Sequence, residues 1–90
     1  MMRSKTTERF RKCFNQLPSQ IQRQARAAYQ LFKENPQHPS LRFKLIHNNQ
    51  PIYSVRVNRQ YRALSVKDED TLIWFWIGDH EGYDELLKRL

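Results

Sequence analysis

Pro39-Ser40-Leu41-Arg42-Phe43-Lys44-Leu45 is where the hydrophobic period of the chain changes. Upstream, apolar residues recur every three or four positions; downstream, every second one. Leu41, Phe43 and Leu45 alternate with Arg42 and Lys44, and Tyr53, Val55 and Val57 alternate with Ser54 and Arg56. That is the pattern of half-buried strands, whose successive side chains point to opposite faces. Further on, Asn58-Arg59-Gln60 leads to a third run, Tyr61-Arg62-Ala63-Leu64-Ser65-Val66. The acidic turn Lys67-Asp68-Glu69-Asp70 leads to a fourth, Thr71-Leu72-Ile73-Trp74-Phe75-Trp76-Ile77. Links this short predict a four-stranded antiparallel sheet over residues 41–77, with His47-Asn48-Asn49-Gln50-Pro51 joining its first two strands. The fourth run is apolar on both faces, so it belongs at a covered position. The tail Tyr83–Leu90, read as a short helix, or a partner chain would shield its second face.

Working back from Pro39, Phe10, Cys13, Phe14 and Leu17 form one stripe of a helix near residues 7–16, N-capped by Thr7 and ended by Pro18. Cys13 lies in that stripe and reads as core filler. Ser19 with Gln22 has capping-box spacing and opens a second helix near 20–34, with Ile21, Ala25, Ala28, Leu31 and Phe32 on one face. Asn35-Pro36 stops it, and Pro36 and Pro39 stiffen the loop that follows. The expected fold is α+β: an N-terminal helical hairpin packed on the sheet, one domain spanning residues 1–90, which suits a chain of 90 residues.

Sixteen Lys and Arg against nine Asp and Glu give a net charge of +7. It is spread unevenly: +6 over residues 1–30, +4 over 31–60 and −3 over 61–90. A polyanionic partner suits the first two thirds. The single cysteine forms no internal disulfide, and no Cys/His group has zinc-ligand spacing, so neither metal nor cofactor is expected. The opening Met1-Met2-Arg3-Ser4-Lys5 runs into Thr6, Thr7 and Glu8 rather than an apolar core, and no stretch approaches about 18 apolar residues, so the chain reads as soluble and cytoplasmic, without a signal peptide or membrane span.

Arg56 and Arg62 flank one short link, and a hairpin can bring them together on one sheet face. They read either as solvent-facing strand residues or as a pair of guanidiniums gripping a phosphate. Arg42 and Lys44 extend the same basic surface. His80 and Tyr83 lie in Gly78-Asp79-His80-Glu81-Gly82-Tyr83, read as a loop after the last strand, where a histidine can move a proton while arginines hold an anion. His38 and His47, in other loops, are assigned no chemistry. Trp74 and Trp76 read as core packing in preference to base stacking.

The helix pair, the Asn35-Pro36…His38-Pro39-Ser40-Leu41 junction, Tyr53-Ser54-Val55-Arg56-Val57, Tyr61-Arg62-Ala63 and Ile73-Trp74-Phe75-Trp76-Ile77-Gly78-Asp79-His80 together resemble the RelE/ParE superfamily of bacterial type II toxins over almost the whole chain. The resemblance implies a partner, an acidic antitoxin protein. It also implies a function: a ribosome-dependent mRNA endonuclease that works by attack of an RNA 2′-hydroxyl, without metal. Arg62, in the Tyr-Arg pair, matches the family's phosphate-stabilising arginine; Arg56 falls where another basic residue sits. His80 resembles a histidine or arginine position of the nucleases, and Tyr83 stands in for a nearby aromatic. The sequence departs at Ser54, where RelE carries a lysine, at Trp76, an arginine in some nucleases, and at the N-terminal strand, reduced to at most Arg3-Ser4-Lys5. Two other functions go with the same fold: a ParE-like inhibitor of DNA gyrase, and a non-catalytic member that binds antitoxin or nucleic acid.

Overall fold

A computed structural model describes residues 3–47 and 49–90; Met1 and Met2 of the basic N-terminus and Asn48 of the first strand link lie outside the described residues. The elements run β1 (Arg3–Thr6), α1 (Glu8–Asn15), α2 (Ser19–Glu34), a 3₁₀ turn (Pro39–Leu41), β2 (Lys44–Leu45), β3 (Ile52–Arg56), β4 (Tyr61–Asp68), β5 (Thr71–Asp79) and α3 (His80–Arg89). The α+β class and the helical hairpin on a sheet are as expected. The sheet, however, has five strands in the order β1-β5-β4-β3-β2, and β1 pairs with β5 in parallel.

Thr7 caps α1 as anticipated, its Oγ1 accepting from the Phe10 N–H at 3.1 Å. Ser19 does not cap α2. Pro18 occupies that position without a side-chain hydrogen bond. Gln22 instead reaches back, Nε2 donating to the carbonyls of Phe14 (3.0 Å) and Leu17 (3.3 Å). Those carbonyls lie at the end of α1, where intrahelical donors have run out, so Gln22 fastens the hairpin.

The first predicted strand is the main correction. Leu41 is 1% exposed and belongs to a 3₁₀ turn capped by His38, whose Nδ1 accepts from the Ser40 N–H. Arg42 then takes a left-handed conformation (φ 46°), leaving only Lys44 and Leu45 to pair with β3. Burying Leu41 in the core requires the chain to turn there, and the turn overrides the alternation.

Cross-strand register sorts the side chains onto two faces. Val55, Ala63 and Ile77 are aligned on one, with Tyr53, Ser65 and Trp74 in the next row. This face meets the hairpin: the Phe32 ring packs edge-on against Trp74 (5.8 Å between centroids) and Phe43 (5.0 Å). Phe10, Cys13 and Phe14 pack partly buried against the same core. On the other face Lys44, Ser54, Leu64 and Trp76 form one row, and Arg56, Arg62 and Gly78 the next. A register shift beside Leu64 and Ser65 leaves Phe75 without a partner, a bulge that puts Trp74, buried, and Trp76, half-buried, on opposite faces of β5. β5 is thus covered twice, by the hairpin on one side and by α3 on the other.

α3 begins three residues before the expected tail helix, so the stretch read as a loop is the end of β5 plus the first turn of α3. Asp79 caps it, Oδ1 accepting from the Gly82 N–H at 2.8 Å. Neither glycine has a positive φ. They are small for another reason: a Cβ on Gly78 would lie 2.5 Å from Trp76 Cζ2, and one on Gly82 would lie 3.1 Å from the same atom. The Trp76 ring fills the joint between β5 and α3. Gly78→Ala should therefore cost about 1–3 kcal/mol through overpacking, whereas Gly82→Ala, offset by alanine's helix preference of about 1 kcal/mol, should be near neutral. Urea denaturation of the two variants checks this, and equal losses would contradict it.

Candidate functional site

The β3–β4 turn is organised by Asn58. Its Oδ1 accepts from the N–H groups of Gln60 (2.8 Å) and Tyr61 (2.9 Å), the local self-bonding that suits asparagine to turns. Its Nδ2 donates to Gln24 Oε1 at 2.6 Å, tying the turn to α2. Its carbonyl accepts from Arg62 Nη1 (2.7 Å) and Arg56 Nε (3.3 Å). One oxygen therefore sits between two guanidiniums. In the sequence Asn58 stands only as part of a link, and the turn chemistry of asparagine is the signal that marks it.

Arg56 and Arg62 are direct partners across the strands. Like charges placed opposite each other destabilise a sheet. Among the described residues Lys12 pairs with Glu8 and Lys88 with Glu85, and the His80 ring meets Asp84, a pair that is ionic only when the ring is protonated, so no arginine is neutralised in this way. Burial foremost, then the Arg56 charge, press the Arg62 guanidinium below its usual range; Tyr83 acts against them, and Arg42 adds to the depression. Arg42, Arg56 and Arg62 thus form one field of positive charge. Lys44 shares the face one row away, opposite Ser54.

The second group of expected site residues is on α3. His80 is its first residue, and its Nδ1 lies 3.0 Å from Asp84 Oδ2 one turn on. Tyr83 faces inward at 9% exposure, with its ring 5.9 Å from that of His80. Tyr83 also acts on the charge of Arg62, so it lies near that guanidinium as well as beside the His80 ring. The neighbouring concavity of about 510 Å³, between α2 and the β3–β4 turn, is lined by Arg56, Asn58 and Arg59 but by neither Arg62 nor His80. His38 and His47 hold backbone: His38 caps the 3₁₀ turn, and His47 Nδ1 accepts from the N–H groups of Asn49 and Gln50. Trp74 is buried, and its Nε1 has no hydrogen-bond partner among the described residues.

Between the hairpin and the sheet lies an apolar groove of about 400 Å³, lined by Phe10, Phe14, Ala28, Val55 and Trp74, with Lys5 and Arg26 contributing charge. Among the described residues, no group of three or more His, Cys, Asp or Glu side chains could hold a metal ion, and no helix is long and apolar enough to cross a membrane.

Residues 19–85 match the family described as the ParE-like toxin domain. Among curated proteins, no sequence matches the chain. Its fold is similar to that of solved toxin structures at low identity. The RelB–RelE antitoxin–toxin complex from Methanococcus jannaschii aligns with a TM-score of 0.72 at 16% identity, covering 90% of this chain and 95% of that one. YafQ from E. coli aligns at 0.73 and 9% identity over 92% and 98%. The RelBE2 toxin–antitoxin complex from Mycobacterium tuberculosis aligns at 0.61 and 20% identity over 88% and 98%.

Proposed function

The chain belongs to the ParE-like toxin domain family, and from that membership we propose that it acts as a ribosome-dependent mRNA endonuclease of a type II toxin–antitoxin pair. One observation carries the reading: Arg56 and Arg62 are paired directly across β3 and β4, with Arg42 close enough to act on the same charge and no arginine matched by a carboxylate within ion-pair distance among the described residues. Such a cluster lowers stability unless an anion neutralises it, and a phosphate whose charge increases in the transition state is the anion it serves best.

In this reading the RNA 2′-oxygen attacks the adjacent phosphorus, the bond to the 5′-oxygen breaks, and a 2′,3′-cyclic phosphate and a 5′-hydroxyl result. A base takes the 2′-hydroxyl proton and an acid returns one to the 5′-oxygen. Arg62 and Arg56 stabilise the phosphorane, Arg42 and Lys44 hold flanking phosphates, and His80 is the proton-transfer group. Tyr83, being buried, acts by packing beside the His80 ring. The ribosome supplies the orientation of the RNA strand.

The partner in this reading is an antitoxin, as the RelB–RelE complexes whose toxins share this fold suggest, and an acidic one, to match the basic first two thirds of the chain. An amphipathic antitoxin segment suits the apolar groove beside Lys5 and Arg26. Its binding should weaken with salt in the electrostatic part and persist in the apolar part.

The matching family is described as ParE-like, and the resemblance to ParE makes action on DNA gyrase the second reading. Expressing the chain in cells and following labelled amino-acid and thymidine incorporation separates the two. Arrest of protein synthesis ahead of DNA synthesis is expected; the reverse order would overturn the nuclease reading in favour of gyrase.

A further inference from the structure

We infer that Asp84 is a positioning residue for His80: it accepts from the Nδ1–H of the ring and so makes Nε2 the nitrogen that gains and loses the proton. The inference rests on the nuclease reading for its consequence, but its geometry stands apart from it. His80 Nδ1 and Asp84 Oδ2 are 3.0 Å apart. At that separation a lone pair on Nδ1 would face the lone pairs of a carboxylate, and only an N–H directed at the oxygen makes the contact attractive. The neutral ring is therefore the Nδ1–H tautomer, and the cation differs from it only by a proton on Nε2.

Three features hold the ring in that orientation. His80 and Asp84 are spaced i, i+4 on α3, so their side chains meet on one face of the helix. Asp79 pins the helix start through the Gly82 N–H at 2.8 Å. The buried Tyr83 ring meets the imidazole in a T-shaped arrangement, with 5.9 Å between centroids and 70° between planes. His80 is exposed, and its Nε2 has no partner among the described residues, which leaves that atom open to a substrate hydroxyl. A surface ion pair alone stabilises little; here its effect is to select which nitrogen is basic.

The test is nitrogen-15 NMR of the His80 ring in the full chain at about pH 8, above the usual histidine range, alongside cleavage of a reporter mRNA in a translation mixture. Wild-type protein should show the Nδ1–H tautomer, Asp84→Ala should shift toward Nε2–H, and Asp84→Glu should retain most of the original tautomer. Cleavage should fall about tenfold in Asp84→Ala, the size typical of losing an outer partner, and recover in Asp84→Glu. Both positions are exposed, so circular dichroism should show the fold unchanged. An unaltered tautomer in Asp84→Ala overturns the inference. A tautomer shift with cleavage unaffected in both Asp84→Ala and His80→Ala leaves the Asp84 assignment standing and sinks the role of His80 in the nuclease.

Discussion

Arg62→Ala is expected to lower RNA cleavage by about 10²–10³-fold, by analogy with the loss of one oxyanion-hole donor, and to relieve growth inhibition at matched expression. Arg62 sits at the middle of the cluster, opposite Arg56 in register and within reach of the Arg42 charge. Two of its N–H bonds are directed to the carbonyls of Asn58 and Tyr61 through Nη1, which fixes the guanidinium plane while leaving other donors for a phosphate. Arg62→Lys keeps the charge but not the fork, and should recover only part of the activity. Stability should move little or rise. The substitution removes two hydrogen bonds to carbonyls but also ends a like-charge contact across the strands. Reduced activity together with an unchanged urea midpoint would mark Arg62 as functional. Full toxicity of Arg62→Ala would overturn the site.

The second large effect is on stability. Leu64→Ala should destabilise the domain by about 2–5 kcal/mol, the range for emptying a leucine site in a packed core. Leu64 is 0% exposed, in the middle of β4, between Ser54 and Trp76 on the face that α3 covers. A domain of 90 residues has roughly 5–13 kcal/mol in total at about 0.05–0.15 kcal/mol per residue, so the variant approaches the unfolding threshold. With about 4–8 °C per kcal/mol for a domain of this size, the thermal midpoint should drop by at least about 8 °C. Leu45→Ala, on β2 and 54% exposed, is the control and should stay within about 0.5 kcal/mol of wild type. Equal effects at the two positions would mean that the α3 face is not a core.

How well each part could be read from the chain depended on whether its side chains bury apolar surface. The stripe of α1, the face of α2 and the double-sided β5 did, and their positions came within a residue or two. β1 did not: Arg3, Lys5 and Thr6 are exposed, and the strand is held by backbone bonds such as Thr7 N–H to the Trp74 carbonyl at 3.0 Å. Ser19 and Gln22 had capping-box spacing, but Pro18 took the cap, and the glutamine found better acceptors at the end of α1. The facing of Arg56 and Arg62 was legible because a short turn constrains register.

The amino-acid sequence by itself determined the class, the hairpin, the four-strand meander and the basic surface, because amphipathic period and turn length act locally along the chain. Only the tertiary structure decided that Leu41 would turn into the core and shorten β2, that a parallel strand would join the edge of β5, and that Trp76 would fill the space beneath Gly78 and Gly82. It alone also decided that Asn58 would lie between two guanidiniums and Asp84 against His80. Those outcomes rest on contacts between distant segments, or on where one side chain points, and neither carries a period that a sequence can display.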